Sequence, residues 1–343
     1  MTTRIAVVLA GAVAKGAFEA GAIHELGARD VEILRVVGAS SGALNGTVLA
    51  RSVAARSCAQ GAAMLVELWQ DKASWTGVFH ASLRELARRD GVSDRGKILA
   101  LLREYVPVID IADPAQVNLR LLVAALDGVT GAIGDHPATT YESLCEFGTA
   151  DFTARDALDR VFDAATASSA FPLVFAPVVL PGIGPCVDGG AVNNTPFKAA
   201  LDGAIGAQLD AIVVVATSVE LRTAPTTALH GLALAGHLGE MLVGERLYRD
   251  LRDTEAINDG LRQLDALVAR GAIDRDQLSA VLAAIRWTES KPVPILQVRP
   301  TADLPGSAFA GFFDAELRRT YIAAGAARAS EVLDAARIGR LPQ

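Results

Sequence analysis

The sequence predicts an α/β fold, a mainly parallel central sheet sandwiched by helices, and three observations predict it. Short β-rich runs alternate with apolar-periodic helical stretches from the first residues to the last strand. The run 211–216, Ala-Ile-Val-Val-Val-Ala, is solidly apolar, the mark of a parallel strand buried on both faces. Half of the residues (51%) are hydrophobic but only 5% are aromatic, so the interior is built mainly from aliphatic side chains that suit close helix–sheet packing.

The elements follow in order. Residues 5–9 read as a strand, a Gly/Ala loop follows, and apolar residues at helical spacing run from about Gly16 to Ala28. Residues 33–37 form a second β-rich run that ends in Gly38-Ala39-Ser40-Ser41-Gly42, after which Leu44, Val48 and Leu49 continue at helical spacing. Residues 60–106 read as helical, with Met64, Leu65, Leu68 and Trp69 on one face and Ile98, Leu101 and Leu102 on another. Residues 119–126 give a third strand that stops at a turn, Asp127-Gly128. Thr153-x-x-Asp156 resembles a capping box for a helix through 161–166. Residues 177–180 and 186–187 are strand-like. Residues 230–287 are mostly helical, with Leu247, Leu251, Leu261, Leu264 and Val268 on apolar faces. A last strand covers 294–298 and a closing helix 312–337. With no repeat, low-complexity tract or linker, the chain reads as one domain over 1–343. Its core motifs lie within 4–220, and the mainly helical part 221–343 has one returning strand near 293–299.

Charge and cysteine usage exclude several classes. A net charge of −7 speaks against nucleic-acid binding, which asks for a basic face. Cys58, Cys145 and Cys186 are odd in number and scattered, with no CxxC and no Cys/His pair. They predict no disulfide framework, no structural zinc and a reducing compartment. No apolar run reaches the length of a membrane span. The start, Arg4 followed by an apolar run and Ala12-Val13-Ala14, imitates a secretory leader with an A-x-A site. Cleavage there would delete a loop that the chemistry below needs. The expected location is therefore cytoplasmic, with peripheral membrane contact, and secretion stays open.

Three segments carry the residue types that chemistry needs. Gly38-Ala39-Ser40-Ser41-Gly42 is a G-x-S-x-G between a strand and a helix, where a serine is turned outward and the helix dipole favours a developing alkoxide. An N-cap serine on an ordinary turn would look the same. Gly11-Ala12-Val13-Ala14-Lys15-Gly16 is a small-residue strand-to-helix loop whose N–H groups suit an anion. It fails as a Walker A loop, because Ala17-Phe18 stands in place of Lys-Ser/Thr, and it contains no G-x-G-x-x-G. An oxyanion hole needs only N–H groups and survives both failures. Asp188-Gly189-Gly190, followed by Asn193-Asn194, puts a carboxylate at a strand end, where open α/β sheets place ligands, although D-G is also a common turn former. His24, His80, His136, His230 and His237 are the candidates for a triad histidine, and helical context accounts for His24, His230 and His237 without chemistry.

Together these blocks resemble the patatin-like phospholipases, acyl hydrolases with a Ser-Asp dyad. The G-G-G-x-[KR]-G loop of that family matches residues 11–16, its G-x-S-x-G matches Ser40 and its D-G-[GA] matches Asp188. A fourth block, A-S-S-A-x-P-x-x-F-x-P-V, matches Ala167-Ser168-Ser169-Ala170-Phe171-Pro172-Leu173-Val174-Phe175-Ala176-Pro177-Val178. The resemblance implies a three-layer fold, Ser40 as nucleophile, Asp188 as base and an oxyanion hole on Gly11–Gly16. Gly38, Ser41 and Gly42 form the elbow, and Gly189 and Gly190 support the acid. It implies a phospholipid or other lipid ester as substrate and no cofactor or metal; the absence of a D-x-[DN]-x-[DN]-G agrees with no calcium need. The family's second and third loop glycines are Ala12 and Val13 here, and valine disfavours positive φ. A silent lipid- or acyl-binding protein of the same fold and a histidine-assisted esterase therefore stay open beside the dyad hydrolase. Lys15 would brace the loop or attract a head group, and Trp69, Trp75, Val78 and Phe79 are either core aromatics and their neighbours or residues that line an acyl groove or touch a bilayer.

Overall fold

A computed structural model describes residues 2–79, 93–133, 135–172, 174–219, 231–284 and 291–339, the side chains of 133, 231–240, 242–243 and 283–284 excepted. Its strands are β1 (Thr3–Leu9), β2 (Val31–Ala39), β3 (Asn118–Ile133), β4 (His136–Gly148), β5 (Val178–Leu180), β6 (Gly184–Asp188), β7 (Ala211–Val215) and β8 (Ile295–Val298). They form one sheet in the order β5-β6-β3-β2-β1-β7-β8, with β4 also paired to β3. From β3 to β8 every neighbour is parallel, while β4, β5 and β6 pair antiparallel.

The alternation along β1 sets the layers. Ile5, Val7 and Leu9 pack into one core cluster, Ala6 and Val8 into the other, and all five are fully buried. Each large side chain so buried contributes roughly 1.5–3 kcal/mol. On the first face lie α1 (Gly16–Gly27), α2 (Ser41–Ala54), α3 (Cys58–Glu67), α4 (Gly96–Tyr105), α5 (Arg155–Ser168) and the closing helix α8 (Ala315–Ala335). On the second lie Phe197, Leu209 and the long helix α6 (Gly231–Ala269), which contributes Leu247 and Leu251. A small third cluster, Leu261, Leu278 and Leu282, joins α6 to α7 (Arg275–Ala284).

Five details differ from the sequence reading. The strand expected over 119–126 runs on to Ile133. Asp127-Gly128 forms a register break between Ala124 and Val129, with Gly128 at φ +71°, and the strand does not end there. Its partner β4 has a mostly solvated alternation and few apolar residues, so periodicity does not mark it. Thr153 is not a cap: α5 begins after Ala154, with no side-chain cap, and the Thr153 hydroxyl donates to the Ala150 carbonyl instead. The closing helix starts at Ala315, because Asp314 accepts from the Glu316 and Leu317 N–H groups and ends the short turn Ala310–Phe313. In the stretch 60–106, α3 runs into a five-residue π-turn, Leu68–Lys72, and residues 80–92 lie outside the described residues.

Candidate active site

The register of β3 brings two distant segments together. At Val123 the two edges of β3 are taken by Ser143 and Asp188, and at Leu122 by Leu144 and Ala39. Since β4 holds one edge throughout, β2 and β6 share the other. They arrive from opposite directions and stop one register position apart. Ser40, the residue after Ala39, therefore meets Asp188 head to head, and its Oγ donates to Asp188 Oδ2 at 2.6 Å.

Ser40 sits at φ 55°, ψ −127°, a conformation that costs a residue with a side chain about 1–3 kcal/mol. Three bonds around the site hold it. The Ser40 N–H donates to Ser168 Oγ (3.1 Å), Ser168 Oγ donates to the Leu122 carbonyl (2.5 Å), and the Ala43 N–H donates to the Ser40 carbonyl (2.9 Å). The glycines of the pentapeptide are required by close approach. A Cβ on Gly38 would lie 2.4 Å from the Gly42 carbonyl oxygen, and one on Gly42 2.3 Å from that of Leu9.

Asp188 is nearly sealed, only 4% exposed. Its Oδ1 accepts from the Gly190 N–H at 2.7 Å, and its own N–H donates to the Ala170 carbonyl at 3.0 Å. Burial pushes its carboxyl up to about 6, against the pull of the Ser40 and Gly190 bonds. A buried carboxylate at that value is a stronger base than one in water.

The Gly11–Gly16 loop lies against this pair. Asn194 clamps its start: the Gly11 N–H donates to the Asn194 carbonyl (2.9 Å) and Asn194 Nδ2 donates to the Gly11 carbonyl (2.8 Å). The Ala12 N–H is engaged by Ser41 Oγ (2.9 Å), the Ala14 N–H by the Ala308 carbonyl (3.0 Å) and the Lys15 N–H by the Ala12 carbonyl (3.0 Å). The Gly16 N–H bonds back to Val13 and Ala14. Among the described residues no acceptor lies against the Val13 N–H. Val13 adopts φ 53° despite its branched side chain, the very conformation that valine disfavours.

Ser40, Asp188 and Val13 line one apolar cleft of about 830 Å³, its open mouth included. Leu44, Val48, Leu65, Trp69, Phe79 and Leu102 form much of its wall. The two readings of the aromatics coincide: Trp69 and Phe79 belong to the core cluster and face the cleft. Trp69 is fixed by a buried polar chain. Its Nε1 donates to Asn45 Oδ1 (2.8 Å), and Asn45 Nδ2 donates to Glu19 Oε2 (2.8 Å) and to the Gly16 carbonyl (3.0 Å). Burial raises the Glu19 carboxyl well above its ordinary value.

His24 and His136 are exposed and line no part of the cleft. His80, His230 and the side chain of His237 lie outside the described residues. Sequence reasoning missed three residues: Ser168, Asn194 and Arg246. Arg246 on α6 donates to the Val192 carbonyl (2.8 Å) and to Glu142 Oε2 (2.7 Å), bracing the segment after Asp188. The fourth sequence block held the signal for Ser168, and the Asn-Asn after Asp188 held it for Asn194; a single arginine in a helix carries none.

The family model for patatin-like phospholipase matches residues 7–201, and a search of curated proteins returned no match. Among solved structures the chain is similar to VipD from Legionella pneumophila, at 12% identity and TM-score 0.40, over 97% of this chain and 67% of that one. It is also similar to a chain of the heterodimeric ExoU–SpcU complex from the type III secretion system of Pseudomonas aeruginosa, at 18% identity and TM-score 0.22, over 100% of this chain and 73% of that one. The family match covers more than half of the 343 residues and every block of the site, and the chain belongs to the patatin-like phospholipase family.

Proposed function

We propose that the chain is a serine lipid acyl hydrolase, cleaving fatty-acyl esters of phospholipids or related lipids through Ser40 and Asp188. One observation carries the reading: a strained serine donates at 2.6 Å to a buried carboxylate at the edge of an apolar cleft. Ser40 Oγ attacks the ester carbonyl as Asp188 takes its proton. Asp188 then passes that proton to the leaving alcohol, and an acyl-enzyme forms on Ser40. Water activated by Asp188 releases the fatty acid. The elevation of Asp188 to about 6 supplies the base strength that an ordinary carboxylate lacks.

The oxyanion is stabilised by the Val13 N–H together with the Ser41 and Gly42 N–H groups at the start of α2, which helix geometry leaves without intrahelical acceptors. Each such donor is worth roughly 3–4 kcal/mol of barrier. Ala12 and Lys15 serve as supports in this reading, because their N–H groups are engaged. The same engagement favours a second reading, a silent acyl-binding protein with an incomplete hole.

Hydrolysis of p-nitrophenyl butyrate and of phosphatidylcholine, measured on the parent and on Ser40→Ala, separates the two. The hydrolase reading expects both activities in the parent and neither in the variant. No activity in the folded parent, or full activity in Ser40→Ala, overturns it.

A further inference from the structure

Two aromatic paths lead from the cleft to the surface. Phe79, in the cleft wall, stacks on Trp75 at 4.3 Å, and Trp75 stacks on Phe313 at 4.8 Å. Phe312, also in the wall, contacts Phe309 at 6.3 Å, and Phe309 meets Phe171 edge-on at 5.6 Å. The outer ends of both paths are open to solvent: Phe313 is 67% exposed and Phe171 40%. Phe313 is also rigidly placed. It immediately precedes Asp314, whose side chain caps α8, and its ring is held against the indole of Trp75. An exposed phenylalanine has no polar atom to satisfy in water, so two of them joined through stacked rings to the wall of one apolar cleft mark a contact surface.

We propose that this aromatic rim docks on a lipid bilayer, with Phe313 entering the interfacial region and the cleft mouth facing the acyl chains. The inference rests on the lipid-hydrolase reading for its choice of occupant. An acyl chain that leaves a bilayer through water loses the burial of every methylene, whereas a mouth seated on the bilayer lets the chain pass between apolar surroundings. The rim is continuous with the cleft wall through ring-to-ring contacts, so apolar surface continues from the rim into the cleft that Ser40 lines. Two cations packed near the rim are already engaged by main-chain oxygens: Lys97 by Thr76 and Phe79, and Arg318 by Gly311 and Gln70. With a net charge of −7, the chain has no overall electrostatic pull toward anionic head groups. Docking is therefore apolar, and zwitterionic lipid is sufficient.

The test measures partitioning onto phosphatidylcholine vesicles in a Ser40→Ala background, so that hydrolysis does not alter the vesicles. Phe313→Ser is expected to weaken partitioning roughly tenfold, the factor for losing one buried aromatic side chain. Phe313→Trp is expected to keep it, since indole suits the interface. In the otherwise unaltered enzyme, Phe313→Ser is expected to leave p-nitrophenyl butyrate hydrolysis within about twofold, because the ring lies outside the cleft. Partitioning unchanged in Phe313→Ser, or equally weakened by Val179→Ser at another exposed apolar position, overturns the proposal. So does a parent that dimerises without lipid and becomes monomeric in Phe313→Ser, since the rim then serves a second copy. Partitioning that depends on Phe313 in a parent without esterase activity would keep the docking surface and remove the hydrolase reading.

Discussion

Replacing Asp188 by asparagine tests the balance between function and stability at the site. The Asp188 carboxyl rises from an ordinary 3.8 to about 6 because burial penalises its charge. The folded value lies above the unfolded one, so the folded protein binds this proton more tightly. Its contribution to stability is fully present below about pH 4, falls as pH rises through the window from 4 to 6, and is gone above it. At about 1.4 kcal/mol per pH unit, the ionised carboxylate costs the fold about 3 kcal/mol at pH 8. Asparagine is neutral throughout, nearly the same size, and still offers a carbonyl to the Gly190 N–H and an amide to Ser40 Oγ. Asp188→Asn is therefore expected to abolish ester hydrolysis and to raise Tm at pH 8 by ~4 °C, the scale that unfolding entropy sets for 343 residues. Thermal melts followed by far-UV circular dichroism at pH 8 and pH 4, parent against variant, read the difference. A variant less stable than the parent at pH 8, or an advantage that persists unchanged at pH 4, would refute the reasoning.

The strain at Ser40 predicts that Ser40→Gly is more stable than Ser40→Ala by about 1–3 kcal/mol, although both are inactive, because only glycine accepts φ 55° without cost; urea denaturation of the two variants checks it. Val13→Gly is expected to relieve roughly 1 kcal/mol at φ 53° and to leave the hydrolytic rate within tenfold, since the N–H that serves the oxyanion belongs to the backbone. Steady-state kinetics on a soluble ester would show whether the side chain matters instead. In contrast, Gly11→Ala is expected to lower kcat at least tenfold, because its Cβ would lie 2.2 Å from Asn194 Oδ1 and break the clamp that seats the loop; a rate equal to that of the parent would contradict this.

Much of the fold was legible because its core strands are short and apolar on both faces, as in residues 5–9 and 211–216. The elbow was legible because close packing at Gly38 and Gly42 imposes glycine, which writes itself into the sequence. What was not legible depends on neighbours far away in the chain. β4 presents only Cys145 and Phe147 to the core, too short an apolar alternation to reveal a 13-residue strand, and is held by β3. Phe309, Phe312 and Phe313 lie 230 residues or more from Trp75 and Phe79, and only the packing of α8 on the first face brings them to the cleft. The meeting of Ser40 and Asp188 follows from two strands sharing one edge of β3, a matter of register that residue types do not encode.

The most direct measurement is the reaction of the intact protein with a fluorophosphonate ester, read by mass spectrometry after proteolysis and repeated across pH. One adduct is expected, on Ser40, with a labelling rate that climbs as pH passes about 6 and Asp188 ionises. An unlabelled Ser40, an adduct on another residue, or a rate as fast at pH 4 as at pH 8 would contradict the assignment of Ser40 and Asp188.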